Sequence, residues 1–199
     1  MTMTQVGGFV TLIAIAGALI GLIALHVAPT GLSPFRDPVS QYGITRFKAL
    51  YALAAIGAGV AGIGTILVLA ALPGSIAAVV LLALFAAARI LIPFFPMDAP
   101  GAPKSGVGRV HNLLAFVAFG SVTAAAFVAG GLLHDNGYPE LATIGTVFAV
   151  IMAVGAVLLL LTRVSAPLRG AFGAAERLIY LGFLGWFIAI GVTAVGSTG

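Results

Sequence analysis

The 199-residue sequence contains no cysteine and few charged residues, and each absence excludes a class of protein. Without cysteine, neither a disulfide-linked secreted scaffold nor a thiolate metal site can form. Charged residues make up 7% of the chain, whereas a soluble domain usually carries about 25%. Because so few charges cannot cover a globular surface in water, most of the surface is expected to face lipid.

Apolar residues make up 61% of the chain and are concentrated in six long runs. A transmembrane helix needs about 20 such residues, and no segment shows the alternation of a membrane β-strand. The sequence therefore predicts an all-α polytopic membrane protein, with six transmembrane helices in one compact bundle and one domain over residues 1–199. The predicted spans are Val6–Val27, Lys48–Leu72, Ser75–Phe95, Val110–Leu133, Leu141–Leu161 and Ala175–Val195.

The N-terminal flank and the link between the second and third spans set two further expectations. Residues Met1–Gln5 carry no Lys or Arg, and the run that follows exceeds the apolar core of a signal peptide, so the first span is expected to be retained. Only Pro73 and Gly74 join the second and third spans, which predicts a tight helical hairpin.

Basic residues occur on one side of the predicted membrane only. The first, third and fifth loops with their flanking helix ends carry nine basic and three acidic residues, a net charge of +6, while the other side has Asp135 and Glu140, a net −2. The positive-inside rule then places the odd-numbered loops in the cytoplasm and both termini outside, in a bacterial cytoplasmic membrane. A sequence pI of about 10 is thus attributed to topology and anionic lipid, and no nucleic-acid partner is expected.

Small residues line the first two spans. Gly17 and Gly21 form a GxxxG motif, and Gly57, Gly59, Gly62 and Gly64 follow in the second span. Such residues let helix backbones approach closely in lipid. Packing within the chain is the favoured interpretation, with self-association or contact with other membrane subunits as the alternative.

The first loop contains a predicted anion site. Asp37 before Pro38 fits a helix N-cap followed by proline in the first turn, and Gly43 fits a C-cap. A one-turn helix there would offer free N–H groups beside Arg36, which suits phosphate or carboxylate. The interpretation favoured over an anion site is that Asp37 and Ser40 only cap and order a long loop.

The third loop brings a carboxylate and an imidazole to the same side. Asp98 follows the third span, and Arg109 and His111 open the fourth. His26 lies at comparable depth in the first span, so His26 and His111 are the candidate ligands if a metal or haem binds. Neither histidine belongs to a recognised metal-binding spacing, and no cofactor is predicted.

Arg89 is the most unusual residue, because it lies about seven residues inside the third span. A charge at that depth usually faces the bundle interior, where it is paired or lines a polar cavity; the alternative is that its long side chain reaches the interface. Asp37, Asp98 and Glu176 are the acidic residues on the same side, so one of them is the expected partner.

These residues together predict a polar site at the cytoplasmic mouth of the bundle. The first hypothesis is that the protein binds or processes a lipid headgroup or another anionic amphiphile, and membrane lipids are then its partners. A non-enzymatic accessory subunit of a larger membrane complex is the second, and haem or metal binding the third. Candidate catalytic residues are Asp37, Ser40, Asp98 and His111; candidate ligand-binding residues are Arg36, Arg89, Arg109, Glu176 and Arg177.

Four short motifs resemble a known family. They are Asp37-Pro-Val-Ser-Gln-Tyr-Gly43, Phe95-Pro-Met-Asp98, the helix entry Gly108-Arg-Val-His111, and Glu176-Arg177 before the last span. In this order they resemble the bacterial six-helix membrane proteins of domain of unknown function 998, which implies a compact six-span protein and no particular activity. The Pro-x-Ser-x-x-Gly element is also remotely similar to the Frag1/DRAM/Sfk1 membrane proteins, some of which are linked to lipid remodelling.

Overall fold

A computed structural model describes residues 1–197 as an all-helical bundle, with no strand in that range. Six segments are long and apolar enough to cross a membrane, as predicted. Short 3₁₀ helices cover Val39–Ile44, here called the loop-one helix, Ile92–Phe94 and Ala166–Ala171. The long helices are α1 (Met3–Val27), α2 (Lys48–Leu69), α3 (Ile76–Leu91), α4 (Gly106–Asp135), α5 (Pro139–Val164) and α6 (Phe172–Gly196).

Helix starts lie a few residues earlier than predicted where a polar side chain caps them. The Thr2 side chain accepts the Gln5 N–H while the Gln5 side chain accepts the Thr2 N–H, a capping box that starts α1 at Met3. The Ser105 hydroxyl likewise accepts the Gly108 N–H and starts α4 at Gly106.

The α2–α3 hairpin is present, but its connection is longer than Pro73 and Gly74. Helix α2 already ends at Leu69, so residues 70–75 form the turn. Gly74 has φ = 82°, which a residue with a side chain rarely adopts.

The six helices form a closed ring in which each packs on its sequence neighbours and α6 packs back on α1. Helix α6 also contacts α2 and α4, so it lies nearest the centre. Large aromatic side chains fill the interior: the Phe85 ring of α3 lies 5.6 Å from Phe183 and 5.5 Å from Phe187 of α6. These side chains connect α3 to α6 across the bundle.

Glycines bring α1 and α2 into close contact within the chain. A Cβ added at Gly21 would lie 2.9 Å from the Leu50 carbonyl oxygen, and one at Gly57 would lie 2.9 Å from that of Ala14. Both glycines are therefore used for packing inside the bundle, the interpretation that the sequence favoured.

The odd-numbered loops lie together at one end of the bundle, and the two termini lie together at the other. At one end the Ser40 hydroxyl of loop one donates to Met97 Sδ of loop three at 3.3 Å, and the Gly173 N–H at the start of α6 donates to the Arg36 carbonyl. At the other end, Gln5 Nε2 donates to the Ser197 carbonyl at 3.0 Å. The odd-numbered loops thus form one polar end, here called the odd-loop end.

Candidate functional site

Arg89 lies in the bundle interior near the odd-loop end. It belongs to the last turn of α3 and is 2% exposed, so its side chain does not reach the interface. Its guanidinium carbon lies 5.2 Å from the centre of the Tyr180 ring, a cation–π contact across the bundle. Gly59 of α2 makes room for α3 here, because a Cβ at that position would lie 3.3 Å from Arg89 Cβ.

Two of the three guanidinium nitrogens of Arg89 lack a protein acceptor within residues 1–197. Its Nε and Nη2 atoms are buried and have no hydrogen-bond partner among the described residues. No carboxylate of residues 1–197 lies within 4.0 Å of it, although the expected partner was Asp37, Asp98 or Glu176. The expected ion pair is therefore not formed, although Glu176 lies within electrostatic range of Arg89, and all three carboxylates accept hydrogen bonds elsewhere.

Glu176 is held by the loop-one helix. Its side chain is 4% exposed, and Oε2 accepts the Val39 N–H at 2.7 Å. Val39 is the first residue of the loop-one helix, so the carboxylate of Glu176 takes the backbone donor that was predicted to be free for an external anion. The partial positive charge at a helix N-terminus favours the carboxylate of Glu176 here, as it would favour an external anion.

Asp37 acts before the loop-one helix rather than at its N-cap. Asp37 Oδ2 accepts the Ser33 N–H at 2.7 Å, and Pro38 occupies the cap position without a side-chain hydrogen bond. Gly43 is not a C-cap, since it lies within the helix, where a Cβ would meet the ring of Tyr51 at 2.7 Å. The predicted short helix is present, but its capping scheme was wrong.

Asp98 organises the entry to α4. Its Oδ1 accepts the Ser105 hydroxyl at 2.6 Å and its Oδ2 accepts the Ser105 N–H at 3.1 Å. These two bonds hold the pKa of the Asp98 carboxyl below its usual value, with the nearby Arg109 charge adding to the effect. A Cβ at Gly108 would clash with the same carboxylate, so the carboxylate lies directly against the first turn of α4.

The two histidines have separate partners. His111 is 3% exposed and its Nδ1 lies 2.7 Å from the Phe95 carbonyl oxygen. His26 Nδ1 lies 2.7 Å from the Leu22 carbonyl oxygen, which can only accept, so Nδ1 carries the proton. His26 Nε2 then accepts from Arg177 Nε at 2.9 Å, and the ring packs on Tyr42 at 5.7 Å.

No cluster of three or more metal-ligating side chains occurs in the described part of the chain. Both ring nitrogens of His26 already bond to protein groups. A haem or metal bound through His26 and His111 would therefore have to displace Arg177 from His26.

The candidate residues separate into distinct groups. Arg89 and Glu176 are the buried charges, whereas Arg36 and Arg109 are exposed. Within residues 1–197, no hydrogen bond joins any two of the four candidate catalytic side chains, and Ser40 donates to Met97.

Tyrosines near Arg89 and His26 were missed by the sequence analysis. Tyr51 and Tyr180 are each 4% exposed and lie within electrostatic range of Arg89, and Tyr42 is 1% exposed against His26. A tyrosine in a bundle interior needs a partner for its hydroxyl. The sequence signal that could have identified these tyrosines is that each lies inside or just before an apolar run.

Comparison with known proteins gives the family of the chain. The chain matches no curated protein and no solved structure. A family model described as "Protein of unknown function (DUF998)" matches residues 12–193, which include all four sequence motifs and most of every long helix. This integral membrane protein therefore belongs to the DUF998 family.

Proposed function

We propose that this protein binds an anionic amphiphile at the odd-loop end of the bundle, with Arg89 as the buried group that receives the anionic head. The observation that carries the proposal is the guanidinium of Arg89, 2% exposed, with Nε and Nη2 lacking any acceptor in the described structure.

Within the described residues, Arg89 is a buried cation without an ion pair, and two of its nitrogens have no hydrogen bond. A buried polar group without a hydrogen bond costs about 1–3 kcal/mol, and more when it is charged. A phosphate or carboxylate matches the planar fork of a guanidinium with two parallel hydrogen bonds. Bound to Arg89, such a head would supply the acceptors that Nε and Nη2 lack and an ion pair that no carboxylate of the described residues makes.

The surroundings of Arg89 also suit an amphiphile. The Tyr180 ring covers one face of the guanidinium, and the phenylalanines of α3 and α6 lie beyond it. These phenylalanines are fully buried on one another, so the hydrocarbon of a ligand whose head lies at Arg89 would reach them only when the bundle opens at this end. The loop-one helix covers this end of the bundle, and its contacts with Glu176 and Met97 would have to open for entry.

Binding, rather than hydrolysis, is the activity proposed. Ser40 donates to Met97 and His111 lies on the Phe95 carbonyl, so among the described residues no hydrogen bond joins either Ser40 or His111 to Asp37 or Asp98 as a nucleophile–base pair would require. In this proposal Arg36 and Arg109 attract anionic lipid from the surface, and the odd-loop end faces the cytoplasm of a bacterial cell.

The test is retention of lipid by the purified protein in detergent, measured by native mass spectrometry. Wild type is expected to retain an anionic lipid that Arg89→Gln loses, while Arg89→Lys retains part of it. Arg169→Gln is the matched control, since it removes an exposed charge from the same end of the bundle and has no part in the proposed site. An identical set of retained lipids in wild type and in folded Arg89→Gln contradicts the proposal.

A further inference from the structure

A second feature at the odd-loop end is an open groove on the outer surface of α6. Its volume is about 420 Å³, and it lies between the first part of loop one and the first turns of α6. It is lined by Pro34, Phe35, Ala174, Arg177, Leu178 and Leu181.

The groove is fixed by backbone contacts between loop one and α6. The Ala174 N–H donates to the Phe35 carbonyl at 2.9 Å, and the Gly173 N–H donates to that of Arg36 at 3.3 Å. A Cβ at Gly173 would lie 2.6 Å from the carbonyl oxygens of Pro34 and Asp37, so only glycine permits this approach. Loop one is therefore attached along the start of α6, and its edge forms one wall.

Arg177 is the single charged residue that lines the groove. Its Nε donates to His26, and its Nη1 donates to the carbonyl oxygens of Asp37 and Gly173, both at 3.0 Å. All three acceptors are neutral, Nη2 has no partner, and no carboxylate of residues 1–197 lies within 4.0 Å. The positive charge of Arg177 is therefore not neutralised by an ion pair.

The remaining lining is apolar and extends from this charge along the helix. Leu181 lies four residues after Arg177, about 6 Å further along the axis into the span, and it is 56% exposed. Leu178 lies between them, and Phe35 on the opposite wall is 61% exposed. A cation at one end of an exposed apolar surface is complementary to a molecule with an anionic head and a hydrocarbon chain.

We infer that this groove binds a membrane phospholipid with a net negative headgroup, with the phosphate at Arg177 and an acyl chain along Leu178 and Leu181. The exposed Arg36 on the adjoining loop adds positive charge beside the head. Arg177 Nη2 is itself buried, so contact with it requires the guanidinium or a groove side chain to rotate. The groove is independent of Arg89, because it opens on the lipid-facing surface and needs no movement of the loop-one helix.

The test uses the whole protein in nanodiscs of equal phosphatidylglycerol and phosphatidylcholine, with bound lipids counted by native mass spectrometry. Wild type is expected to retain phosphatidylglycerol preferentially, and Arg177→Gln to lower that preference about five-fold. Arg177→Lys, which keeps the charge, is expected to retain most of it. Arg169→Gln, an exposed arginine outside the groove, is the control and should have little effect.

A steric variant separates the groove from a general effect of charge. Leu181→Trp fills the apolar part and leaves Arg177 in place, so it is expected to reduce the amount of retained phosphatidylglycerol. The inference is overturned if Leu181→Trp retains as much lipid as wild type, or if Arg169→Gln lowers the preference as much as Arg177→Gln. Arg89→Gln should lose the lipid bound in the interior and still retain the phosphatidylglycerol bound in the groove; if it retains none, the interior site accounts for the lipid and the groove does not.

Discussion

The carboxylate of Glu176 accepts the backbone N–H of Val39 at 2.7 Å, a buried hydrogen bond between residues 137 positions apart in the sequence. This bond ties the loop-one helix to α6. The next residue, Arg177, projects about 100° around the helix and binds the carbonyl of Asp37 from the outer side. Two adjacent residues of α6 thus hold loop one from the inside and from the outside.

Loss of the Glu176 carboxylate is expected to loosen the loop-one helix. Glu176→Ala leaves the Val39 N–H buried without an acceptor, which should lower the free energy of unfolding by about 1–3 kcal/mol. Glu176→Gln keeps an acceptor oxygen and should lose less. Hydrogen exchange of the amides of Val39–Ile44 tests the local effect and should be fastest in the alanine variant. Equal rates in wild type and Glu176→Ala would refute the role of this bond.

A methyl group is not expected to fit between α1 and α2 at Gly64. A Cβ there would lie 2.6 Å from the Thr11 backbone nitrogen and 2.8 Å from the Gly7 carbonyl oxygen. Gly64→Ala should therefore destabilise the protein by about 1–3 kcal/mol, as overpacking does elsewhere.

Gly120→Ala in α4 is the matched control for Gly64→Ala. No atom lies within 4 Å of a Cβ at Gly120, so alanine there should be neutral or stabilise the helix by up to about 1 kcal/mol. Thermal unfolding in one detergent measures both variants. Equal melting temperatures for the two alanine variants would show that the α1–α2 approach is not tight.

The spans were predictable and the polar contacts were not. Apolar runs determine where helices cross lipid, so the sequence located all six. The ends differ by a few residues, both where a cap such as Thr2 or Ser105 starts a helix earlier and where α2 ends early, at Leu69. The depth of Arg89 in the third apolar run also indicated that its side chain is either buried in the bundle or extended to the membrane interface. Its environment depends on α2, α3 and α6 meeting around it, which no local pattern encodes.

The partners of the three acidic side chains at this end were also not predictable from the sequence. Asp37 and Asp98 bond to donors four and seven residues away, so local turn geometry takes precedence over the longer-range pairing with Arg89 that charge alone suggested. Glu176 instead bonds to a backbone donor across the fold. Because every residue except proline has a backbone N–H, residue type does not mark which one Glu176 will bind, and this partner was not predicted.

The Asp98 contact with Ser105 should make stability depend on acidic pH. Because these bonds lower the pKa of Asp98 in the folded state, its contribution is complete above the unfolded pKa and is lost as pH falls through the folded pKa. Asp98→Asn removes the charge, so the variant should melt below wild type at pH 7. The gap should close below about pH 4. A gap that stays constant from pH 7 to pH 3 would show that the charge of Asp98 is not involved.

The absence of cysteine allows a direct test of the proposed orientation. Lys104→Cys places a single thiol in the exposed third loop, and Asn136→Cys places one in the turn at the opposite end of the bundle. If the odd-loop end is cytoplasmic, a membrane-impermeant maleimide added to intact bacterial spheroplasts should label Cys at position 136 and reach position 104 only after lysis. The Arg89 and Arg177 sites would then receive lipid from the inner leaflet. Labelling at 104 in intact spheroplasts, with protection at 136, would reverse the orientation and place both sites in the outer leaflet.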